Sequence, residues 1–144
     1  MRLILKGTVT IYTDGACKCN PGVGGWGAVL LYQNITKEIY GYEAKTTNNR
    51  MELTAVIQAI MVLKIACNIN VYTDSLYVQK GMSEWITNWV AKNWRNVKNV
   101  DLWQQLYSLA QLHNISWYWV KAHNGDSLNE RADYLANLAI AEHV

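Results

Sequence analysis

The sequence lacks phenylalanine, contains one proline, and has charged residues at only 17% of its 144 positions. So few charges together with 51% hydrophobic residues are typical of a globular protein and argue against a disordered one. A chain of this length corresponds to one ordinary domain and buries about 68–70% of its unfolded surface. We therefore expect a domain that folds without disulfides or a structural metal.

Cysteine is scarce, and its three copies cannot all pair within the chain. Cys17 and Cys19 are too close for an ordinary disulfide, and no second cysteine or histidine pair has zinc-finger spacing. The first residues lack the hydrophobic region of a secretory signal peptide. A membrane-spanning helix needs about 18 consecutive apolar residues, and no apolar run in the sequence is nearly that long. These absences predict a reduced, cytoplasmic protein that does not contact a membrane.

The net charge of +2 is too small to indicate a nucleic-acid partner by itself, so the distribution of charge matters more. Residues 80–99 contain four basic residues against the single acid Glu84. Trp85, Trp89 and Trp94 are interleaved with these charges. The spacing of Trp85 and Trp89 is more typical of a core than of a ligand surface. The alternative is that one of the three tryptophans lies beside a phosphate of a bound nucleic acid.

Alternating β-branched segments predict five strands, and apolar residues at helical spacing predict five helices. The predicted strands are residues 8–13, 27–32, 36–42, 69–73 and 115–121. The predicted helices begin at residues 48–49, 74–75, 83, 101 and shortly before 128, and Gly81 is expected to end the second. Residues 14–25 are glycine-rich and predict a loop. The order β-β-β-α-β-α-α-α-β-α predicts an α/β fold with a mixed sheet covered by helices.

Four of the eleven acidic residues stand at positions where elements begin or end. Asp14 and Asp74 end predicted strands, whereas Glu52 and Asp133 lie near the starts of predicted helices. Ligands of α/β sheets gather beyond the carboxyl ends of parallel strands, so the four carboxylates can converge if the first and fourth strands are neighbours. Because clustered carboxylates repel one another, they favour a hard cation such as Mg²⁺ or Mn²⁺.

Each of these acids also has an ordinary structural explanation. Asp14-Gly15 is a common turn pair, Asp74-Ser75 can cap a helix, and Asn49-x-x-Glu52 resembles a capping box. Asp133 lies near a helix N-terminus, where acids are favoured in any protein. The metal-site hypothesis therefore depends on the four residues taken together.

Seven short segments, taken in order, resemble the ribonuclease H family. They are TDGAC (13–17), NPG (20–22), GGWG (24–27), TNNRMEL (47–53), YTDS (72–75), WVKAH (119–123) and NERAD (129–133). Any one of them alone would be a weak signal, but their combination is specific and extends over nearly the whole chain. The segment KNVDLW (98–103) further resembles the bacterial type-1 branch.

The resemblance implies a ribonuclease H-like fold with a five-stranded mixed sheet, formed by residues 1–144 as a single catalytic domain. It implies endonucleolytic hydrolysis of the RNA strand of RNA–DNA hybrids, which leaves 5′-phosphate and 3′-hydroxyl ends. Asp14, Glu52, Asp74 and Asp133 correspond to the family's metal-binding catalytic acids, and His123 corresponds to its mobile histidine. The expected cofactor is a pair of Mg²⁺ ions about 3.5–4 Å apart, with Mn²⁺ as an alternative. His123 is suited to moving a proton or helping product leave.

The resemblance also implies two groups of substrate contacts. Cys17, Asn20, Asn48 and Asn49 match positions that touch the minor groove of the hybrid, where the 2′-hydroxyl distinguishes RNA from DNA. The basic stretch corresponds to a protrusion that holds the DNA strand. Its expected contacts are Trp89, Lys92, Arg95 and Lys98.

Two departures from the family pattern lie in these substrate-binding regions. Leu76 stands where the family commonly has a glutamine that contacts RNA, and the linker after Trp94 is short. We therefore expect one contact to RNA to be missing, and binding of the DNA strand to be weaker and more sensitive to salt.

Two other functions are compatible with such a fold. The first is an inactive module that binds hybrids or double-stranded RNA, and the presence of all four acids and His123 argues against it. The second is a transferase or nuclease acting on DNA, as integrases do, and the TNNRMEL segment argues against that. We therefore expect a monomeric Mg²⁺-dependent endoribonuclease without an obligate protein partner. With thirteen residues before Asp14, we expect no separate N-terminal hybrid-binding domain.

Overall fold

The computed structural model describes residues 4–122 and 125–143. Its strands are β1 (Ile4–Cys17), β2 (Gly22–Tyr32), β3 (Ile35–Thr46), β4 (Ala66–Thr73) and β5 (Asn114–Trp119). Its helices are α1 (Asn48–Met61), α2 (Leu76–Lys80), α3 (Ile86–Ala91), α4 (Val100–Ala110) and α5 (Ser127–Ala141), with a π-helical turn at Gly81–Trp85 between α2 and α3. Within the described ranges, no helix is long and apolar enough to cross a bilayer.

The five strands form one mixed sheet in the order β3-β2-β1-β4-β5. Strands β1, β2 and β3 are joined as antiparallel hairpins. Strand β4 runs parallel to β1 on one side and to β5 on the other. Parallel neighbours require long crossover connections, which α1 supplies before β4 and α2 to α4 supply before β5. The predicted order of elements and the α/β fold class are confirmed.

Helices cover both faces of the sheet. On one face, Ile11 of β1 and Val71 of β4 are fully buried in a core that also contains Leu53 of α1 and Trp103 of α4. On the other face, α5 lies against β2 at very short range. A Cβ atom built on Gly27 would lie 2.6 Å from the carbonyl oxygen of Ala132, so glycine permits this approach. The close fit brings the first turns of α5 next to β1.

The prediction of a loop over residues 14–25 was wrong. Strand β1 continues to Cys17 and β2 begins at Gly22, because Asp14–Cys17 pairs with Gly24–Gly27. Residues 18–21 alone form the turn. A glycine-rich segment is typical of a loop, whereas Gly25 of β2 makes room for α5.

One of the predicted boundaries around Gly81 also requires correction. Helix α2 ends at Lys80 with Gly81 as its C-cap, as predicted, but the chain continues there into the π-helical turn that leads into α3, and the missing side chain of Gly81 accommodates Trp103. The helix predicted to begin at residue 83 begins at Ile86 and ends at Ala91, and beyond it Asn93 and Trp94 have positive φ angles of 59° and 62°. Met61, the last residue of α1, is 43% exposed.

Candidate active site

Asp14 and Asp74 lie at the same edge of the sheet. They directly follow Thr13 and Thr73, the last residues paired between the parallel strands β1 and β4. The capping function considered for the Asp74-Ser75 pair belongs to Ser75, whose hydroxyl accepts a hydrogen bond from Val78 N at 3.2 Å. The Asp74 side chain is therefore not used as the cap of α2.

Glu52 reaches this edge from the first turns of α1. The helix is capped by Thr47, whose Oγ1 accepts a hydrogen bond from Arg50 N at 3.2 Å, so Asn49 and Glu52 do not form the capping box considered from the sequence. A Cβ atom on Gly15 would lie 2.4 Å from Glu52 N. Glycine at this position therefore lets α1 approach β1 closely enough to bury the Glu52 side chain beside Asp14.

The carboxylates meet at one point. Oxygens of Asp14, Glu52 and Asp74 all lie within 4.8 Å of one another. Asp14 and Glu52 are 4% and 5% exposed, and Asp74 is half-buried. Asp133 arrives from α5 and lies close enough to Asp14 to contribute to the raised pKa of that carboxyl group. The structure thus brings together the four acids singled out in the sequence.

The electrostatics of this cluster suit a cation. Burial, followed by repulsion from Glu52 and Asp74, raises the pKa of Asp14 well above its usual range. Burial and repulsion from Asp74 raise the pKa of Glu52 in the same way. Glu52 Oε1 is buried and has no hydrogen-bond partner among the described residues. A hard divalent cation such as Mg²⁺ or Mn²⁺ would satisfy this oxygen and offset the repulsion, so the donor set fits the implied metal.

A polar groove of about 410 Å³ contains four of the predicted substrate-binding residues. Its lining is Asn20, Pro21, Thr47, Asn48, Asn49, Lys98 and Asn99. Asn20 Oδ1 accepts a hydrogen bond from Asn48 N at 2.9 Å, which joins the β1–β2 turn to the start of α1. Cys17 lies behind this turn, with its Sγ 3.4 Å from the carbonyl oxygen of Thr46.

A model of the ribonuclease H family matches residues 6–141. This chain belongs to the ribonuclease H family. A ribonuclease H from Hahella chejuensis (strain KCTC 2396) is 60% identical over 140 residues, which cover 94% of this chain and 95% of that protein. A ribonuclease H from Francisella tularensis subsp. novicida (strain U112) is 57% identical over 142 residues, which cover 95% and 93%.

The fold is similar to that of solved relatives. The crystal structure of LC9-RNase H1, a type 1 RNase H with the type 2 active-site motif, superposes with a TM-score of 0.89 at 30% identity, covering 95% of this chain and 74% of that one. The predicted family and ribonuclease H-like fold are therefore confirmed. The chain is a metal-dependent endoribonuclease that hydrolyses the RNA strand of RNA–DNA hybrids.

An ion pair that sequence reasoning missed links two segments beside the groove of this ribonuclease H. Arg50 donates to both carboxylate oxygens of Asp101, at 3.0 and 2.7 Å, and to Asn99 Oδ1 at 3.3 Å. The Arg50 guanidinium lowers the pKa of Asp101 to about 2. The pair links α1 to the start of α4, so it places Asn99 and Lys98 opposite Asn48. About fifty residues separate the partners, and no local pattern reveals such a contact.

In the basic stretch of residues 80–99, the core position expected for Trp85 and Trp89 is confirmed in part. Trp89 is half-buried, with its ring centroid 4.8 Å from that of Trp103, as expected for a core residue. Trp85 is the more exposed of the two. Lys92 and Arg95 are exposed and are not among the residues that line the groove, whereas Lys98 is.

Three further positions concern the expected roles. His123, predicted to be the mobile histidine, lies outside the described residues. Asp126, which sequence reasoning missed, caps α5 by accepting hydrogen bonds from Leu128 N at 3.1 Å and Asn129 N at 3.2 Å. Leu76 is 47% exposed at the start of α2, next to Ser75.

Proposed function

We propose that Asp14, Glu52, Asp74 and Asp133 bind Mg²⁺, and that this site cleaves the RNA strand to leave 5′-phosphate and 3′-hydroxyl ends. The observation that carries the proposal is the convergence of three carboxylates within 4.8 Å, with a buried Glu52 oxygen unpaired among the described residues. When bound, a pair of divalent ions supplies an activated water and stabilises the leaving 3′ oxygen.

The remaining steps fall to side chains of the chain itself. In the hydrolysis, a water oxygen bonds to phosphorus, the bond from phosphorus to the 3′ oxygen breaks, and that oxygen takes up a proton. His123 is the proposed group for delivering this proton or for helping the product leave, because its ordinary pKa lies near neutrality. The support for His123 is its place in the WVKAH segment.

The substrate is proposed to lie across the groove beside the carboxylates. Asn20, Asn48 and Asn49 present amide groups that can both donate to and accept from a 2′-hydroxyl, and Cys17 supports the turn that carries Asn20. Lys98, which lines the groove, is the proposed contact to a phosphate of the DNA strand, and Trp89, Lys92 and Arg95 are further proposed contacts on the protrusion.

The active form is proposed to be a cytoplasmic monomer in which residues 1–144 make a single catalytic domain. Support for a monomer comes from the site itself, since all four acids and the groove come from one chain. Gel filtration with in-line light scattering, at the concentration used for assays, tests this part of the proposal.

A side-by-side digestion tests the activity. End-labelled RNA–DNA hybrid, duplex DNA and duplex RNA of one sequence are incubated with Mg²⁺ added back after treatment with EDTA. We expect cleavage of the RNA in the hybrid alone, and none in EDTA. Glu52→Gln should abolish cleavage, whereas Glu130→Gln, an exposed acid on α5, should leave it unchanged. Comparable cleavage of duplex DNA, or full activity in EDTA, would contradict the proposal.

A further inference from the structure

The end of β4, where Asp74 is located, is held by the end of β5. The carbonyl oxygen of Thr73 accepts a hydrogen bond from Val120 N at 2.9 Å. The next carbonyl oxygen, that of Asp74, accepts one from the indole Nε1 of Trp119 at 3.0 Å. The carbonyl of Thr73 is thus bound by a backbone N–H, and the next carbonyl, that of Asp74, is bound by the side chain of Trp119.

Trp119 is placed for this contact by strand register. It pairs with Thr73 in the parallel β4–β5 ladder, so its indole reaches one residue beyond the paired segment. The side chain is 44% exposed and lies on an edge strand. An exposed indole could direct its N–H to water, yet here it donates to the peptide of a catalytic acid.

Asp74 has a particular need for such a contact. It is the least buried of the three clustered carboxylates, and it sits at the junction between β4 and α2, beyond the last ladder pair. Any negative charge on Asp14 or Glu52 repels the Asp74 carboxylate when no cation is present. A hydrogen bond to its peptide carbonyl limits the backbone rotation that would turn the Asp74 side chain away from the other two acids.

We propose that Trp119 is a positioning residue, which through its indole N–H fixes the Asp74 peptide and keeps the Asp74 carboxylate aimed at Asp14 and Glu52. The inference rests on the proposed metal site. Groups behind metal ligands typically change metal affinity or activity by about 10–100-fold, and we expect about three- to tenfold here, since the contact is to the backbone and not to the carboxylate.

The sharpest test replaces Trp119 with 3-benzothienylalanine, in which sulfur takes the place of the indole N–H and the ring keeps its shape. Trp119→Phe is the simpler version. For both, we expect the Mg²⁺ concentration at half-maximal activity to rise about three- to tenfold, with KM for the hybrid within about twofold of the parent. The Mg²⁺-induced rise in Tm, measured without substrate, should shift to higher Mg²⁺ by a similar factor. Tyr118→Phe, the neighbouring exposed ring on β5, is the matched control and should change neither quantity.

Three results would overturn the inference. They are a Mg²⁺ response unchanged in both Trp119 variants, a higher KM with an unchanged Mg²⁺ response, or a lower Tm in EDTA as the sole effect. The second would make Trp119 a substrate contact, and the third would make it merely structural. A parent protein whose Tm does not respond to Mg²⁺ would contradict the proposed metal site itself, which separates that failure from this one.

Discussion

Asp14 and Asp74 emerge side by side from two parallel strands, one residue beyond the last pair that joins those strands. This register places two negative charges at one point of the sheet, and Glu52 adds a third within 4.8 Å. Burial of these groups disfavours their charged forms. The metal-free site therefore destabilises the folded protein, and a bound cation removes this effect. Measurements of both cleavage and stability should detect changes to the site.

Replacing Asp14 with Asn should abolish cleavage while hybrid binding is retained. The substitution removes one metal-binding oxygen and one negative charge but preserves the shape of the side chain. Because the charge is unfavourable when no cation is present, Asp14→Asn should also raise the free energy of unfolding in EDTA. Single-turnover cleavage, filter binding and urea denaturation measure the three quantities. Activity within about tenfold of the parent at saturating Mg²⁺ would be incompatible with a metal-binding function for Asp14, whose removal should reduce activity further than that.

Stability of the metal-free protein should fall as pH rises. The pKa values of Asp14 and Glu52 are raised on folding above the unfolded values of about 3.9 and 4.3, so above pH ~4 the folded state holds protons that the unfolded chain has released. The free energy of unfolding should therefore decrease from about pH 4 towards neutrality. Urea denaturation in EDTA tests this, and Mg²⁺ or Asp14→Asn should flatten the profile. Equal slopes for the parent and Asp14→Asn would show that Asp14 does not titrate in this way.

The four acids could be located from the sequence because Asp14 and Asp74 follow strands and Glu52 and Asp133 lie within the first two turns of helices, and strand ends are recognisable from local pattern. Their convergence required a further condition, namely that β1 and β4 are parallel neighbours. The crossover through α1 made this arrangement predictable. The positions of these side chains can therefore be predicted without knowing which distant residues they contact.

Other features depend on contacts that local pattern does not contain. Gly25 indicates a loop when only its own neighbours are considered, but it is a strand residue against α5. The contact between Trp119 and Asp74 depends on the register of β5 against β4, and the Arg50–Asp101 pair depends on where α4 begins. Each joins segments that are far apart in sequence.

His123→Ala should slow turnover by roughly ten- to a thousandfold, since a group that moves a proton contributes about 10²–10⁴ at most. This decrease is smaller than the one expected for Asp14→Asn. The comparison requires both variants in the same single-turnover assay at saturating Mg²⁺ and hybrid. A decrease as complete as that of Asp14→Asn would mean that His123 is a ligand or a structural residue.

Gly81→Ala should destabilise the protein. A Cβ atom at this position would lie 2.1 Å from Cη2 of Trp103, which is fully buried and donates a hydrogen bond to Tyr77 Oη at 2.9 Å. The clash forces a shift of the ring or of the π-helical turn, and overpacking of this kind costs about 1–3 kcal/mol. Thermal unfolding measures the destabilisation. Ser83→Ala, two residues along the same turn at an exposed position, is the comparison and should have a much smaller effect. Equal stability of the two variants would show that the turn adapts without cost.

Lys98 should contribute more to substrate binding than Lys92, because it lines the polar groove and Lys92 does not. A lysine that meets a phosphate carries no sequence information, so Lys98→Ala should weaken binding about equally for hybrids of any sequence. The plot of log affinity against log salt should flatten by up to about 0.9 for each phosphate that the protein no longer neutralises, with a hybrid giving somewhat less than B-form DNA.

The triple variant of Lys92, Arg95 and Lys98 to Ala decides whether the protrusion holds the DNA strand at all. We expect a higher KM and a flatter salt dependence than for Lys98→Ala alone. Turnover at saturating hybrid should change little, because the variant removes binding that the ground and transition states share and leaves the carboxylates untouched. Lys64→Ala, an exposed lysine just after α1 and distant in sequence from this segment, controls for the removal of positive charge in general. An unchanged KM and salt slope in the triple variant would mean that these three residues are simply solvated, and the grip on DNA would then have to come from other parts of the groove.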